Sequence, residues 1–115
     1  MNQQLTLNLV QGSVRINFSV EAAHNLKQEI AKLMQSLKTV ATATGERGNK
    51  PQPQSTMEYR YTGDIFLEVF CNPNIYPSPF AAKLLLTIRD DKIRLTTEAE
   101  LTQLLEDVDR YLESN

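Results

Sequence analysis

At 115 residues, with 41% apolar and 23% charged side chains, the chain has ordinary globular composition and length for one core, not two independent ones. Its formal net charge of −2 gives no global attraction to nucleic acid or anionic lipid, and no apolar run approaches the roughly 18 residues of a membrane helix. The single cysteine, Cys71, excludes an intrachain disulfide framework, and Met1-Asn2-Gln3-Gln4 lacks the charge and apolar run of a secretory signal, so a cytoplasmic protein is expected.

Charge is unevenly spread. Residues 1–60 carry seven Lys or Arg against four acids, and residues 61–115 carry five against ten. The two halves are therefore opposite in sign, which bears on partners rather than on fold.

In chain order, Leu5, Leu7 and Leu9 alternate with polar residues, as do Val14, Ile16 and Phe18. Period two predicts one buried face per strand, and Gln11-Gly12 between the runs predicts a β-hairpin over about 4–18. Ser19 reads as a helix N-cap with Glu21 in the first turn. Ala23, Leu26, Ile30, Leu33, Met34 and Leu37 follow at spacings of three and four, predicting a helix over about 20–39 with Lys27, Lys32 and Lys38 mostly off its apolar stripe. Residues 41–56, ATATGERGNKPQPQST, have no apolar period and are expected to form a flexible loop within a single domain spanning 1–115.

Met57, Tyr59 and Tyr61 alternate, then Ile65, Leu67, Val69 and Cys71. Gly63-Asp64 between them is compatible with a hairpin turn or with a bulge in one long strand. Three prolines in Asn72–Phe80 exclude a paired central strand or a helix there. Leu84, Leu86 and Ile88 predict a further strand, Asp90-Asp91 a turn, and Ile93 with Leu95 a short returning strand. Thr97-Glu98-Ala99-Glu100 has capping-box form, and Leu101, Leu104, Leu105, Val108, Tyr111 and Leu112 predict a helix over about 98–113 with an acidic outer face. The strand–cap–helix run after Val14 is echoed after Ile93, a pattern open to a duplicated ββα unit or, as the favoured reading, to convergent use of few residue types.

The fold class expected is α+β: a mostly antiparallel sheet with two amphipathic helices packed on one face, in the order ββα–loop–ββββα. Its core is predicted to hold Leu7, Val14, Ile16, Leu26, Ile30, Leu33, Leu37, Leu67, Val69, Leu84, Leu86, Ile88, Leu101, Leu104, Leu105 and Val108.

Candidate chemistry is sparse. One His and one Cys do not make a metal site, so no metal or cofactor is expected. Cys71 reads as a small core residue and His24 as a solvent-facing or partly packed one; an enzyme depending on either is an alternative without an orienting third group. No glycine-rich phosphate loop is present, and the carboxylates Glu98, Glu100, Glu106, Asp107, Asp109 and Glu113 read as a solvated helix face. Tyr59, Tyr61, Phe66 and Phe70, with Arg60 between the tyrosines, suggest a second alternative, nucleic-acid binding on an aromatic sheet face, although the half that follows is acidic. Among the prolines, Ile75, Tyr76 and Phe80 are either anchors for a partner or a cap on the core. The leading expectation is a non-catalytic interaction or regulatory module that contacts a protein partner or itself, away from membranes.

The second half, FLEVFCNPNIYPSPFAAKLLLTIRDDKIRLTTEAELTQLLEDVDRYL, resembles small uncharacterised proteins of cyanobacteria in overall texture. The resemblance implies a bacterial cytoplasmic protein and carries over no catalytic residue, ligand or activity.

Overall fold

The computed structural model describes residues 4–44 and 53–115. Their elements run β1 (Gln4–Leu9), β2 (Gly12–Asn17), α1 (Val20–Thr44), β3 (Met57–Thr62), β4 (Phe66–Cys71), β5 (Lys83–Arg89), β6 (Arg94–Glu100) and α2 (Leu101–Glu113). Two single turns of 3₁₀-helix, Pro73–Ile75 and Pro79–Ala81, lie between β4 and β5. The α+β class and element order are those expected from the sequence.

Strands β3, β4, β5 and β6 form one antiparallel meander in chain order. Gly63-Asp64 belongs to a hairpin turn, since Thr62 pairs with Phe66 and the ladder continues to Met57 opposite Cys71. One face of this sheet is closed by Met57, Tyr59, Leu67, Val69, Cys71, Leu84, Leu86, Ile88 and Ala99, all buried. Both helices add their stripes to the same core cluster: Ala23, Leu26, Ile30, Leu33 and Leu37 from α1, and Leu101, Leu104, Val108 and Tyr111 from α2. Of the predicted core, Val14 and Leu105 are half-buried against this cluster and the other positions are inside it.

The first hairpin departs from the expected single sheet. β1 and β2 pair only with each other among the described residues and form a separate two-stranded ladder. The reason lies at the outer edge of β1, where the Asn8 backbone N–H donates to Asp107 Oδ2 at 2.7 Å. A carboxylate on α2 takes the place that a neighbouring strand would occupy, and α2 packs against both β1 and α1. The turn residues are Val10 and Gln11, with Gly12 at φ +137° opening β2. A side chain would be strained at that φ.

Helix α1 starts as expected, with the Ala22 N–H donating to Ser19 Oγ at 3.0 Å. It runs past the expected end at 39 because Val40 prolongs the buried stripe, and the Thr39 and Thr42 hydroxyls donate to carbonyls one turn back. Residues 41–44 of the expected loop are thus helical. The mobility expected of that loop concerns mainly residues 45–52, which lie outside the described residues.

Helix α2 starts later than expected and has no capping box. Thr97 lies in β6 opposite Leu86, and the helix begins at Leu101 with no side-chain cap bond from Glu100. The whole Arg94–Glu100 segment instead pairs with β5, with Leu95, Thr97 and Ala99 turned inward. A complete ladder with a buried Ala99 outweighs one cap interaction of about 1 kcal/mol. The Leu101 N–H finds its acceptor in the Ala82 carbonyl at 3.1 Å. The junction therefore differs from the capped β2–α1 junction that it echoes in sequence. Ile93, expected in the returning strand, is exposed in the turn before it.

Candidate functional site

Two surfaces present groups that the fold itself does not consume. The first is the proline loop between β4 and β5. Asn72 caps its first turn by accepting from the Asn74 N–H at 3.0 Å. Asn74 then pairs through its amide with the Gln54 backbone: Gln54 N–H donates to Asn74 Oδ1 and Asn74 Nδ2 donates to the Gln54 carbonyl, both at 2.8 Å. This two-bond clasp, together with proline φ restriction, holds the first turn of the loop in one shape. Tyr76 turns inward and packs half-buried on the core, where burial first and the neighbouring Cys71 second raise its hydroxyl pKa. Ile75 and Phe80 turn outward, at 66% and 83% exposure.

The second surface is the outer face of the β3–β6 sheet, opposite the helices. Register places Thr62, Phe66, Arg89 and Arg94 in one row across it. The next row is Arg60, Glu68, Thr87 and Thr96, and the third is Glu58, Phe70, Leu85 and Glu98. Arg60 Nε meets Glu68 Oε2 at 2.7 Å, the Arg89 guanidinium lies 4.4 Å over the Phe66 ring, and Leu85 is 44% exposed.

The residues proposed for nucleic-acid contact do not share one face. Tyr59 and Tyr61 point to the helix side. The Tyr59 hydroxyl donates to the Ala22 carbonyl at 3.1 Å, and burial, then Tyr61, push its pKa up to about 12. Tyr61 packs edge-on to Phe18 at 4.7 Å between centroids. Arg60 points the other way, to Glu68. The rings on the outer face are Phe66 and Phe70, and only the strand register, which the sequence leaves open at Gly63-Asp64, separates them from the tyrosines.

Cys71 is 1% exposed, and burial pushes its thiol up to about 11, so the thiolate needed for nucleophilic attack is disfavoured at neutral pH. His24 is exposed on α1. Among the described residues, no group of three or more His, Cys, Asp or Glu side chains has a metal-holding arrangement. Among them, too, no helix is long and apolar enough to cross a membrane.

Asp107 corrects the expectation of a wholly solvated acidic face. It is 2% exposed and accepts from the Asn8 backbone, from Asn8 Nδ2 at 2.8 Å, from Gln103 Nε2 at 2.9 Å and from Arg110 at 3.3 Å. Three donors converge on Oδ1 and the Asn8 backbone N–H takes Oδ2, so Asp107 is a fastener between β1 and α2. Asp109 likewise joins the helices through Lys27 at 2.7 Å, and Glu106 holds Arg110 at 2.9 Å as its i,i+4 spacing predicts. An open hollow of about 390 Å³ along α2 is lined by Thr102, Leu105, Glu106, Asp109, Arg110 and Glu113. Its lining includes both ion-paired acids and no cysteine or histidine. In Asp90-Asp91, Asp90 Oδ1 accepts from the Lys92 and Ile93 N–H groups, and these bonds, Ile93 first, lower its pKa. That is turn chemistry, as its sequence indicates.

No protein-family model matches the chain, and neither a curated protein nor a solved structure does.

Proposed function

We propose that the chain is a non-catalytic module that binds a protein partner through the proline loop, with Phe80 and Ile75 as the contacting side chains. The observation that carries this reading is the outward direction of Phe80 on a loop whose first turn is held by the Asn72–Asn74–Gln54 bonds and whose second is held by the Ala81 and Ala82 N–H groups donating to the Ser78 and Pro79 carbonyls. An aromatic ring on a preorganised loop loses few rotors on binding and adds large apolar contact area, which is the economy of an interface anchor. Tyr76, half-buried beneath it, supports the loop from the core side.

The test is a bait comparison. The double variant F80A/I75A is expected to melt like the parent, within about 0.5 kcal/mol, because both side chains are exposed. Parent protein carrying a photo-crosslinking residue at position 80 is expected to form a specific adduct in native lysate. The same group at Thr102, on exposed α2 surface, is expected not to form it. A lysate protein that F80A/I75A bait retains as well as the parent does would place the contact elsewhere, and a large loss of stability in that variant would make the side chains structural.

A further inference from the structure

On the outer sheet face, β6 carries a pair of charges, Arg94 and Glu98, that complements itself under a two-fold rotation. The first row of the face ends in Arg89 and Arg94, directly opposite each other on β5 and β6, and its third row has Glu58 at one end and Glu98 at the other. Like charges directly opposite weaken a ladder. Among the described residues none of these four side chains forms an ion pair. The rows lie about 13 Å apart, four residues along the strand, which exceeds the roughly 8 Å screening length at physiological salt. The two rows therefore do little to neutralise each other. Arg89 rests over the Phe66 ring and Glu58 acts on Arg60, which leaves Arg94 and Glu98 on β6 as the charges open to an external partner of opposite sign. The middle row is neutral, with Arg60 and Glu68 already paired.

We infer that two copies of this chain associate face to face through this surface. The two-fold axis lies in the interface, across the strands, at the level of the middle row. This rotation sets the first row of each copy on the third row of the other, so Arg94 meets Glu98 and Phe66 meets Phe70. Each contact is made twice, as an isologous interface requires. A polyanion would meet the Glu58 and Glu98 row as well as the arginines, so a face of balanced charge favours a second copy over nucleic acid. The face is small: four strands about 4.8 Å apart and about six residues long give roughly 19 by 20 Å, which is the scale of a weak, reversible dimer. The inference concerns a different surface from the proline loop and does not depend on it.

Sedimentation equilibrium from about 10 µM to about 1 mM tests it, a range suited to so small an interface. The parent is expected to rise from monomer toward dimer mass, and to do so less at high salt. R94E and E98R, each at an exposed position, are expected to remain monomeric alone because like charges then face each other across the axis. Their equimolar mixture is expected to recover the dimer, since one variant is then acidic in both rows and the other basic. Independently, T96C on the axis row is expected to cross-link to its own copy through a short bismaleimide. S13C on β2 is expected not to, with the buried Cys71 silent in both. A parent that stays monomeric throughout, a dimer indifferent to both reversals, a mixture that does not recover it, or equal cross-linking of T96C and S13C would overturn the inference.

Discussion

Asp107, itself buried, holds four donors, and its partners come from β1 as well as from its own helix. Removing the carboxylate leaves the part-buried Asn8 and Gln103 donors without their acceptor. Asp107→Ala is therefore expected to lower stability by about 3 kcal/mol in urea unfolding monitored by circular dichroism, within the range for breaking a buried charged contact. Glu106→Ala, one position away but exposed, is expected to change it by less than about 1 kcal/mol. Nothing local separates these two carboxylates in sequence, because both stand between stripe residues of the same helix. What distinguishes them is Asn8, 99 positions earlier in the chain. The same holds for Tyr76 and Phe80, which both read as aromatics among prolines. What separates them are contacts outside the proline run, among them a hydrogen bond between the Tyr76 hydroxyl and the Lys83 backbone. By contrast, the burial of Cys71 and the Asp90 turn were legible, since each follows from neighbours within a few residues.

At the scale of elements, periodicity identified the strands and helices wherever one period dominated. The alternations in β4 and β5 and the stripe of α1 belong to this class, and the structure has them at those places. The junction of β6 and α2 was ambiguous because Thr-Thr-Glu-Ala-Glu satisfies two patterns at once. It alternates like a strand and also has the spacing of a capping box. The choice is made by β5, whose free edge offers Lys83–Arg89 as a ladder partner. This gives a discriminating substitution at Thr97, which is half-buried opposite Leu86. In a strand, Thr97→Val keeps the β-branched shape and adds apolar contact, so stability is expected to stay level or rise by up to about 1 kcal/mol. In a capping box the same change would remove the cap and cost about 1 kcal/mol. Thermal melts of the parent and the variant distinguish the two signs.

At the scale of the whole molecule, the hairpin β1–β2 is not an appendage although it joins no larger sheet. Leu5, Leu7, Ile16 and the following Phe18 are all 2% exposed or less and belong to the same cluster as the four-stranded sheet. Phe18 also meets Tyr61 and Tyr111 edge-on, and its carbonyl accepts from the Tyr111 hydroxyl, so the segment touches β3 and α2 together. Burying four such side chains contributes about 6–12 kcal/mol at 1.5–3 kcal/mol each. That sum is comparable to the total stability of a typical domain, about 5–15 kcal/mol. Removing residues 1–18 is accordingly expected to abolish cooperative folding rather than trim a terminus. The truncated chain should show no sigmoidal thermal transition by far-ultraviolet circular dichroism, and poorly dispersed amide resonances. In the full chain, tyrosine fluorescence and circular dichroism should report the same urea midpoint, because Tyr59, Tyr61 and Tyr111 stand where the sheet, the helices and the hairpin junction meet. A truncated chain that still melts cooperatively would show that the sheet and helices close a sufficient core without the hairpin. The Asn8–Asp107 contact would then be a local fastening, and the coupling argued from the shared cluster would fail.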